Sequence, residues 1–493
     1  MEKILKDGGS VQEYPKTAAA FRDLLTRDEK PGANGAMNAR ERLEALFDEG
    51  TFTEIGAYTV RRRDLEPAEK DALEGVITGY GSVEGCLVYA FAQDLSKTKG
   101  AVSDATADKI TNLYRLAIAN GAPVVGSFDS AGADLVAGVR SLAGYGRIMK
   151  AVSAASGVIP QIAIVPGIAQ GAAAVIVSMF DFVIATESST ISVNPPFVVG
   201  GGKTADSVES GVASLTVKDD AEAAIAARKL LGVLPSNNEE GTVELLTNDD
   251  PDRQADLAKY ASSGSIRDLV KEIADDGNYL ELGAGTANVL STGFISLDGT
   301  VVGIVATDHA VNGGRLTSLA ARKGAKFLNF CDCFGIPVIT LVDSEGFTVS
   351  GEEEKNPFSS EIGKLAGVYA SAKTPLITLV AGAAYGSAFS VLGSKAIGAD
   401  IVFALDTAKI GCMNPASGVA MFWNDQIKGD VTRESLEQKW AETEANVIHA
   451  AQAGEVDDII EAAETRQRLT SAVLMLSAKS AVNPRRRHAD MPL

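Results

Sequence analysis

The chain has few histidines and cysteines, two residue types that enzymes often use for proton transfer and metal binding. Its 493 residues include three histidines and four cysteines, and aromatic residues make up 6%. Cys86, Cys331, Cys333 and Cys412 form neither a disulfide framework nor the paired CxxC pattern of a zinc site. We therefore predict reduced thiols packed in an apolar core, and no bound metal.

An excess of basic residues is also absent. The chain has 45 Lys and Arg against 64 Asp and Glu, a net charge of −19, which argues against nucleic acid or an anionic membrane as a partner. Two arginine clusters, Arg61–Arg63 and Arg485–Arg487, could hold an anion locally, with solvated surface as the alternative.

No apolar segment of a signal peptide is present in the first residues, MEKILKDGGS, so we expect a cytoplasmic protein. Two apolar stretches, residues 158–185 and 377–405, are each interrupted by Gly, Pro or polar residues. This pattern predicts buried parallel strands joined by a helix rather than membrane spans.

Glycine, proline and aspartate recur in register along the chain. Gly121–Pro123 leads by an apolar run into Asp129–Gly132, and Gly335–Pro337 leads by a similar run into Asp343–Gly346. The separation is 214 residues in both cases (335 − 121 and 343 − 129). The repeat predicts two copies of one α/β unit with mostly parallel strands and right-handed crossovers. We place the boundary in the polar segment Pro235–Ser265.

Local patterns predict several further elements. Residues 1 to about 30 read as a helical arm, and Ala39–Phe47 as an amphipathic helix ended near Gly50. Residues 75–93 are typical of a hairpin, and the tail predicts a long helix at 434–453 with another around 457–480.

Two turns in each copy place small residues after a strand. The first turns are Ser130–Ala133 and Ser344–Phe347, and the second turns are Ile168–Ala173 and Ala383–Ala388. The unpaired N–H groups of a first helical turn favour negative charge. Two such turns brought together would form an oxyanion hole, although close helix-on-sheet packing selects Gly and Ala as well.

These segments also carry a family resemblance that covers nearly the whole chain. It resembles the carboxyltransferase component of biotin-dependent acyl-CoA carboxylases, the family of propionyl-CoA carboxylase beta chains and of the methylmalonyl-CoA transcarboxylase large subunit. The segments that carry the resemblance are ARERLEALFDEGTF (39–52), FAQD (91–94), GAPVVGSFDSAGA (121–133), GVRSLAGYGRI (138–148), SGVIPQIAIV (156–165), GAKFLNFCDCFGIPVITLVDSEGF (324–347), AYG (384–386) and RRRHADMPL (485–493).

The resemblance implies an α/β fold of two tandem crotonase-like (ClpP/crotonase) domains. Residues 1–245 would bind the acyl-CoA and residues 246–493 the biotin, with the site shared between subunits of a homo-hexamer. The residues that would line the hole for the thioester oxygen are Gly132, Ala133, Gly171 and Ala172. Those for the ureido oxygen of biotin are Gly386, Ser387 and Ala388, and those expected to contact biotin are Gly346, Phe347, Tyr385 and Gly386.

The implied chemistry needs no catalytic side chain, because backbone donors stabilise the thioester enolate. His309, His449 and His488 lie outside the turns and are expected to be structural. No Met-Lys-Met attachment site or ATP-grasp segment is found, so biotin would arrive on a separate biotin carboxyl carrier protein. A biotin carboxylase subunit or a membrane decarboxylase subunit would complete the complex.

Four positions at the turns depart from the family pattern, and so does the segment Thr348–Glu353, where the family usually resembles Pro-Gly-x-x-Gln-Glu. Ala131 and Asp134 replace a glycine and a base, while Ala172 and Ser387 each replace the second of two glycines. Three functions therefore stay open from the sequence. They are an acyl-CoA carboxyltransferase, the carboxyltransferase of a decarboxylase coupled to a sodium pump, and a non-catalytic scaffold.

Overall fold

The computed structural model describes residues 36–59 and 74–480. The predicted N-terminal arm, both arginine clusters and His488 lie outside the described residues.

The first copy is built around a seven-stranded mixed sheet with the order β1-β2-β3-β4-β5-β7-β9. Strands β1 to β3 are antiparallel and the remaining neighbours are parallel, while β6 and β8 form a small parallel pair of their own. The strands are β1 Thr53–Ile55, β2 Val76–Val83, β3 Cys86–Gln93, β4 Val124–Ser127, β5 Gln161–Val165, β6 Ile168–Gln170, β7 Phe182–Thr186, β8 Thr190–Ser192 and β9 Leu215–Val217.

The second copy repeats this order in an eight-stranded sheet, β10-β11-β12-β13-β14-β15-β17, with β16 beside the end of β14. Its first three strands are again antiparallel and the rest parallel, as the repeat predicts. The strands are β10 Leu280–Leu282, β11 Leu290–Leu297, β12 Thr300–Thr307, β13 Val338–Ser344, β14 Leu376–Tyr385, β15 Ile401–Leu405, β16 Lys409–Gly411 and β17 Asp458–Ile460.

Helices cover the sheets and connect their parallel strands. In the first copy they are α1 Ala39–Leu46, α2 Asp104–Asn120, α3 Val139–Ala155, α4 Ala172–Ser178, α5 Pro196–Val199, α6 Thr204–Glu209 and α7 Asp220–Leu231. In the second they are α8 Ala258–Ser263, α9 Ile266–Ile273, α10 Ser318–Cys333, α11 Gly351–Lys355, α12 Phe358–Ser371, α13 Ser387–Val391, α14 Pro415–Gly418, α15 Arg433–Thr443, α16 Val447–Gln452 and α17 Thr465–Leu476.

The two apolar stretches form buried strands and a short helix, as predicted. Residues 158–185 contain β5, α4 and β7, and residues 377–405 contain most of β14, with α13 and β15. Within residues 36–59 and 74–480, no helix has the length and apolar character needed to cross a bilayer.

Helix α1 agrees with the sequence prediction, whereas most of the thiols do not. The helix runs from Ala39 to Leu46 with Phe47 as its C-cap, and the buried Phe47 ring stacks on Phe52 with centroids 5.5 Å apart. The prediction of core thiols was wrong for three of the four cysteines, since only Cys331 is buried.

The predicted tail helices were wrong in their extent. The first is broken into α15 and α16, because Ala445 is buried between them and the Asn446 side chain accepts the Ile448 N–H as an N-cap. The second starts only at Thr465, because residues 458–460 extend the sheet as β17 beside β15.

The two copies share an aromatic core. Phe182 of the first sheet contacts Phe330 and Phe294 of the second copy, with ring centroids 4.6 and 6.3 Å apart. The Phe294 ring is also 5.1 Å from that of Phe327. Edge-to-face contacts of this kind add to the burial of large apolar side chains.

Replacing Phe294, which is 1% exposed, should therefore weaken the whole fold. We expect Phe294→Ala to lower the free energy of unfolding by about 3–5 kcal/mol, through lost burial and a residual cavity. Urea denaturation followed by circular dichroism measures it. Ile225→Ala, at a position 53% exposed, is the control and should change stability by less than about 0.5 kcal/mol. Equal effects of the two variants would contradict a shared core at this position.

Candidate active site

The first turn of the first copy follows β4 and is held by its own backbone and one hydroxyl. Gly132 has φ +118°, which L side chains rarely adopt. Its N–H donates to Ser130 Oγ at 3.2 Å and its carbonyl accepts the Val102 N–H at 3.1 Å. The next N–H, that of Ala133, has no acceptor among the described residues.

The second copy reproduces this turn almost atom for atom. Gly346 has φ +122°, its N–H donates to Ser344 Oγ at 3.1 Å, and its carbonyl accepts the Leu316 N–H at 3.0 Å. Phe347 follows it, and its ring packs edge-on against Phe358 with centroids 6.1 Å apart.

The second turn of each copy opens a short helix. Gly171 and Gly386, both with φ +62°, are the N-cap residues of α4 and α13. Their own N–H groups donate to Ser192 O and Gly411 O, and neither helix has a side-chain cap. The first residues of the two helices, Ala172 and Ser387, therefore present N–H groups that have no intrahelical partner.

Backbone pairing brings the two turns of each copy side by side. Ser130 N–H donates to Ile168 O at 2.6 Å and Gln170 N–H donates to Ser130 O at 3.2 Å. In the second copy Ser344 pairs with Ala384 in the same parallel manner. Each copy thus brings two turns together at the carboxyl edge of its sheet, and unpaired backbone donors at such a place are what an oxyanion hole uses.

A buried aspartate connects the turns further in each copy. Asp129 Oδ1 accepts the Ile168 N–H at 3.2 Å, and Asp343 Oδ1 accepts the Ala383 N–H at 2.8 Å. Gly167 faces the first carboxylate, and a Cβ there would lie 2.6 Å from Asp129 Oδ1. Our sequence reasoning did not single out these aspartates as site residues, although their 214-residue register was a usable signal.

The second oxygen of each aspartate has a different partner in each copy. Asp129 Oδ2 accepts from Arg42 Nη2 at 3.0 Å, whereas Asp343 Oδ2 accepts the Tyr260 O–H at 2.7 Å. Burial raises the pKa of Asp129, and Arg42 opposes that rise. Burial also raises the pKa of Tyr260, with Asp343 adding to the rise, so the tyrosine stays a neutral donor.

A buried lysine supports the same region in each copy, 214 residues apart. Lys109 Nζ donates to Val76 O at 2.6 Å, and Lys323 Nζ donates to Leu290 O at 2.7 Å and Gly283 O at 2.8 Å. Burial lowers the pKa of both lysines to about 8. Their ammonium groups are occupied by carbonyl oxygens, so we assign them a structural role.

The altered family positions fit this geometry. In the four turns, the positions with positive φ are Gly132, Gly171, Gly346 and Gly386, and all four are glycine. Ala172 and Ser387 are first helical residues, where a side chain is compatible with the backbone.

Asp134, His309 and Tyr385 are titratable side chains that lie near the turns. Asp134 is buried and its carboxylate accepts the Val136 N–H at 3.1 Å. His309 Nδ1 lies 3.2 Å from Asp343 Oδ1, so this histidine approaches the second copy's turn from another loop. Burial raises the pKa of Tyr385 to about 12, which keeps its hydroxyl protonated near neutral pH.

A family model covers nearly the whole chain. The model of the carboxyl transferase domain matches residues 31–491. The chain belongs to this family. The match supports an enzyme.

Curated relatives of similar length have related names. The carboxyltransferase subunit of propionyl-CoA carboxylase from Haloferax mediterranei is 35% identical over 484 residues, covering 93% of this chain and 94% of the relative. The alpha subunit of methylmalonyl-CoA decarboxylase from Veillonella parvula is 35% identical, covering 95% of both chains.

Among solved structures, the hexameric transcarboxylase 12S with methylmalonyl-coenzyme A and methylmalonic acid bound has a TM-score of 0.88. It is 32% identical, and the match covers 93% of each chain. The fold of this carboxyl transferase is thus the α/β fold of that enzyme.

The different partners of the two aspartates predict different responses to an amide. In Asp129→Asn the new amide N–H group must face either the Ile168 N–H or the Arg42 guanidinium, and both of these are donors. In Asp343→Asn the amide N–H group can face the Tyr260 hydroxyl, which can rotate and accept the hydrogen bond. We expect Asp129→Asn to lower the free energy of unfolding by about 1–3 kcal/mol and Asp343→Asn to lower it less, as measured by urea denaturation.

The matched controls are Asp129→Ala and Asp343→Ala, which both leave a buried backbone N–H without its acceptor and should both destabilise. Equal effects of the two amide variants would show that the partner of the second oxygen does not matter.

Proposed function

We propose that this enzyme moves a carboxyl group between carboxybiotin and the α-carbon of a short-chain acyl-CoA of the propionyl-CoA and methylmalonyl-CoA type. The single observation that carries the proposal is the presence, in each copy, of unpaired backbone donors at a point where two turns lie side by side. The names of the relatives and the methylmalonyl-coenzyme A bound in the transcarboxylase structure support the choice of acyl group.

The first copy would bind the acyl-CoA. The N–H groups of Ala133 and Ala172 would donate to the thioester oxygen as negative charge develops on it, while Gly132 and Gly171, which have no side chain, leave room for the approach. The positive end of the dipole of α4, which begins at Ala172, would add to this stabilisation. No side-chain base is required from the chain for this stabilisation.

The second copy would bind biotin, and its residues fit that group. A ureido oxygen accepts hydrogen bonds, and Ser387 and Ala388 offer N–H groups at the start of α13. Gly346, Phe347, Tyr385 and Gly386 would surround the ring. Carboxybiotin, when bound, supplies the carboxyl group, and the chain's own part is to hold and orient the two ligands.

Assembly follows from the same proposal. We divide the chain into two crotonase-like domains, 1–245 and 246–493, and place the site between domain one of one subunit and domain two of its neighbour in a homo-hexamer. Apolar side chains exposed beside the turns support such an interface. They are Leu135 (90%), Val139 (77%) and Leu142 (60%) in the first copy and Val349 (96%) in the second.

Further partners and the location of the complex are proposals on the same basis. A separate biotin carboxyl carrier protein would deliver the biotin, a biotin carboxylase subunit would complete the complex, and we propose a cytoplasmic location.

A second candidate is the carboxyltransferase subunit of a decarboxylase complex, favoured by the relative named methylmalonyl-CoA decarboxylase subunit alpha. The same turns would serve the reverse transfer. Co-purification with a membrane subunit would favour this candidate, and co-purification with a biotin carboxylase would favour synthesis.

Substrate choice can be measured directly. We expect the purified enzyme with free biotin to decarboxylate methylmalonyl-CoA faster than malonyl-CoA or glutaconyl-CoA, because its relatives are named for propionyl-CoA and methylmalonyl-CoA. Release of the decarboxylated acyl-CoA is followed by chromatography. No biotin-dependent turnover on any of the three, in folded and oligomeric protein, would contradict the proposal.

The backbone donors can be removed one at a time with proline, which is tolerated as the first residue of a helix. Ala172→Pro and Ser387→Pro each delete one N–H, and each should lower kcat by about 10²–10³-fold in the same decarboxylation assay. Ala172→Ser keeps the N–H, matches the residue of the second copy, and should retain most activity. A fully active Ala172→Pro enzyme would exclude this N–H as an oxyanion donor.

A further inference from the structure

A cavity of about 640 Å³ lies between the first sheet and helix α10 of the second copy. It sits at the amino ends of β5 and β7, away from the carboxyl edge, and none of the proposed oxyanion-hole residues lines it. Apolar side chains, among them Met179, Phe327 and Phe330, form much of its wall. The cavity is therefore separate from the proposed active site.

One face of α10 points charged and polar groups into this cavity. Arg322, Lys326, Asn329 and Cys333 follow the helical spacing of three and four residues, and all four line the cavity. Arg322 Nη2 donates to Ser210 O at 3.2 Å. The Lys326 ammonium has no hydrogen-bond or ion-pair partner among residues 36–59 and 74–480, and its surroundings lower its pKa by desolvation.

The opposite wall contributes a carboxyl group. Asp181 Oδ2 accepts the Gln161 N–H at 2.8 Å, which is its one hydrogen bond within the described part of the chain. Burial raises the pKa of Asp181 to about 7, with the Gln161 N–H and Lys326 opposing the rise. A carboxyl group and an ammonium group thus face the same space without forming an ion pair.

In the second copy, the aspartate that corresponds to Asp181 is Asp400, and it has a lysine partner from the same chain. Asp400 Oδ2 accepts the Leu376 N–H at 2.7 Å, just as Asp181 accepts from Gln161. Lys479, which follows α17, also donates to Asp400 Oδ2 at 2.7 Å and to Thr374 O at 2.8 Å. The corresponding edge of the first sheet has the cavity instead of a covering segment.

We propose that this cavity binds a small organic carboxylate with an apolar body, whose carboxylate pairs with Lys326 and Arg322 and whose hydrocarbon part packs on the phenylalanine wall. Cations outnumber anions on the cavity wall, since Arg322, Lys323 and Lys326 face Asp181. Lys323 is already satisfied by three carbonyl oxygens. A neutral ligand would displace water from the Lys326 ammonium without replacing its hydrogen bonds, which is unfavourable beside an apolar wall.

The probe for this site is hexanoate, compared with hexanol and hexylamine by isothermal titration of the full-length protein. We expect hexanoate to bind at least about tenfold more tightly than hexanol, and hexylamine not to bind, because only the carboxylate satisfies the ammonium. Lys326→Met should weaken hexanoate binding by about tenfold or more. Lys229→Met, on the exposed side of α7, is the matched control and should leave it unchanged.

A second variant keeps the test decisive if Lys326→Met does not fold. Asp181→Asn retains an acceptor for the Gln161 N–H and removes a charge, so at pH 8 it should bind hexanoate about fivefold more tightly than wild type. At pH 6 the two proteins should bind alike, because the wild-type carboxyl is then protonated.

The other titratable groups on the cavity wall are Arg322, Lys323, Lys326 and Cys333, and both proteins share them. The charge of Asp181 raises the pKa of Lys326, so Asp181→Asn lowers that pKa in the empty cavity, and a bound carboxylate takes over the role of the missing charge. Failure of hexanoate to bind, equal binding of hexanol, or binding that neither variant alters would overturn the proposal. None of these measurements uses carboxyl transfer, so they stand apart from the proposed function.

Discussion

In each half of this protein, a buried carboxylate at the end of a parallel strand, that of Asp129 or Asp343, fixes the relative positions of the two turns. In each copy it joins the strand that bears the first turn to the strand that bears the second, through one backbone N–H. The glycines around it, with φ near +120° and +62°, adopt conformations that other residues would resist. Aspartate and glycines together fix where the unpaired N–H groups lie, and the proposed chemistry depends on that placement.

The two halves share this backbone arrangement but differ in the side chains that contact it. Arg42 neutralises the first aspartate, while a neutral tyrosine hydroxyl, that of Tyr260, partners the second. The helix that begins at the second turn starts with Ala172 in one copy and Ser387 in the other. The two copies also differ at another aspartate. Asp400 is paired with Lys479, whereas Asp181 faces a cavity. The two copies thus share one backbone arrangement and differ in the side chains around it.

Much of the fold and of the candidate site could be predicted from the repeat, because glycine, proline and aspartate mark the same strand ends in both copies. The repeat could not reveal that the Gly132, Gly171 and Gly386 N–H groups are already used, since their acceptors are set by local geometry. The contacts of Arg42 and Tyr260 could not be predicted from the sequence, because each residue lies more than 80 positions from its aspartate. The extent of the tail helices and the burial of three cysteines were predicted wrongly. Tertiary packing determines both, and helix propensity and composition do not reveal it.

The most direct test of the doubled site is complementation between two inactive chains. Ala172→Pro disables the acyl-CoA turn and Ser387→Pro disables the biotin turn, so neither enzyme alone should turn over methylmalonyl-CoA with biotin. If each site combines one turn from each of two subunits, an equal mixture assembled by co-expression should recover about a quarter of the wild-type activity, since half of each kind of turn is intact. Recovery near zero would contradict a site shared between subunits, and full activity of either single variant would contradict the role of the backbone donors.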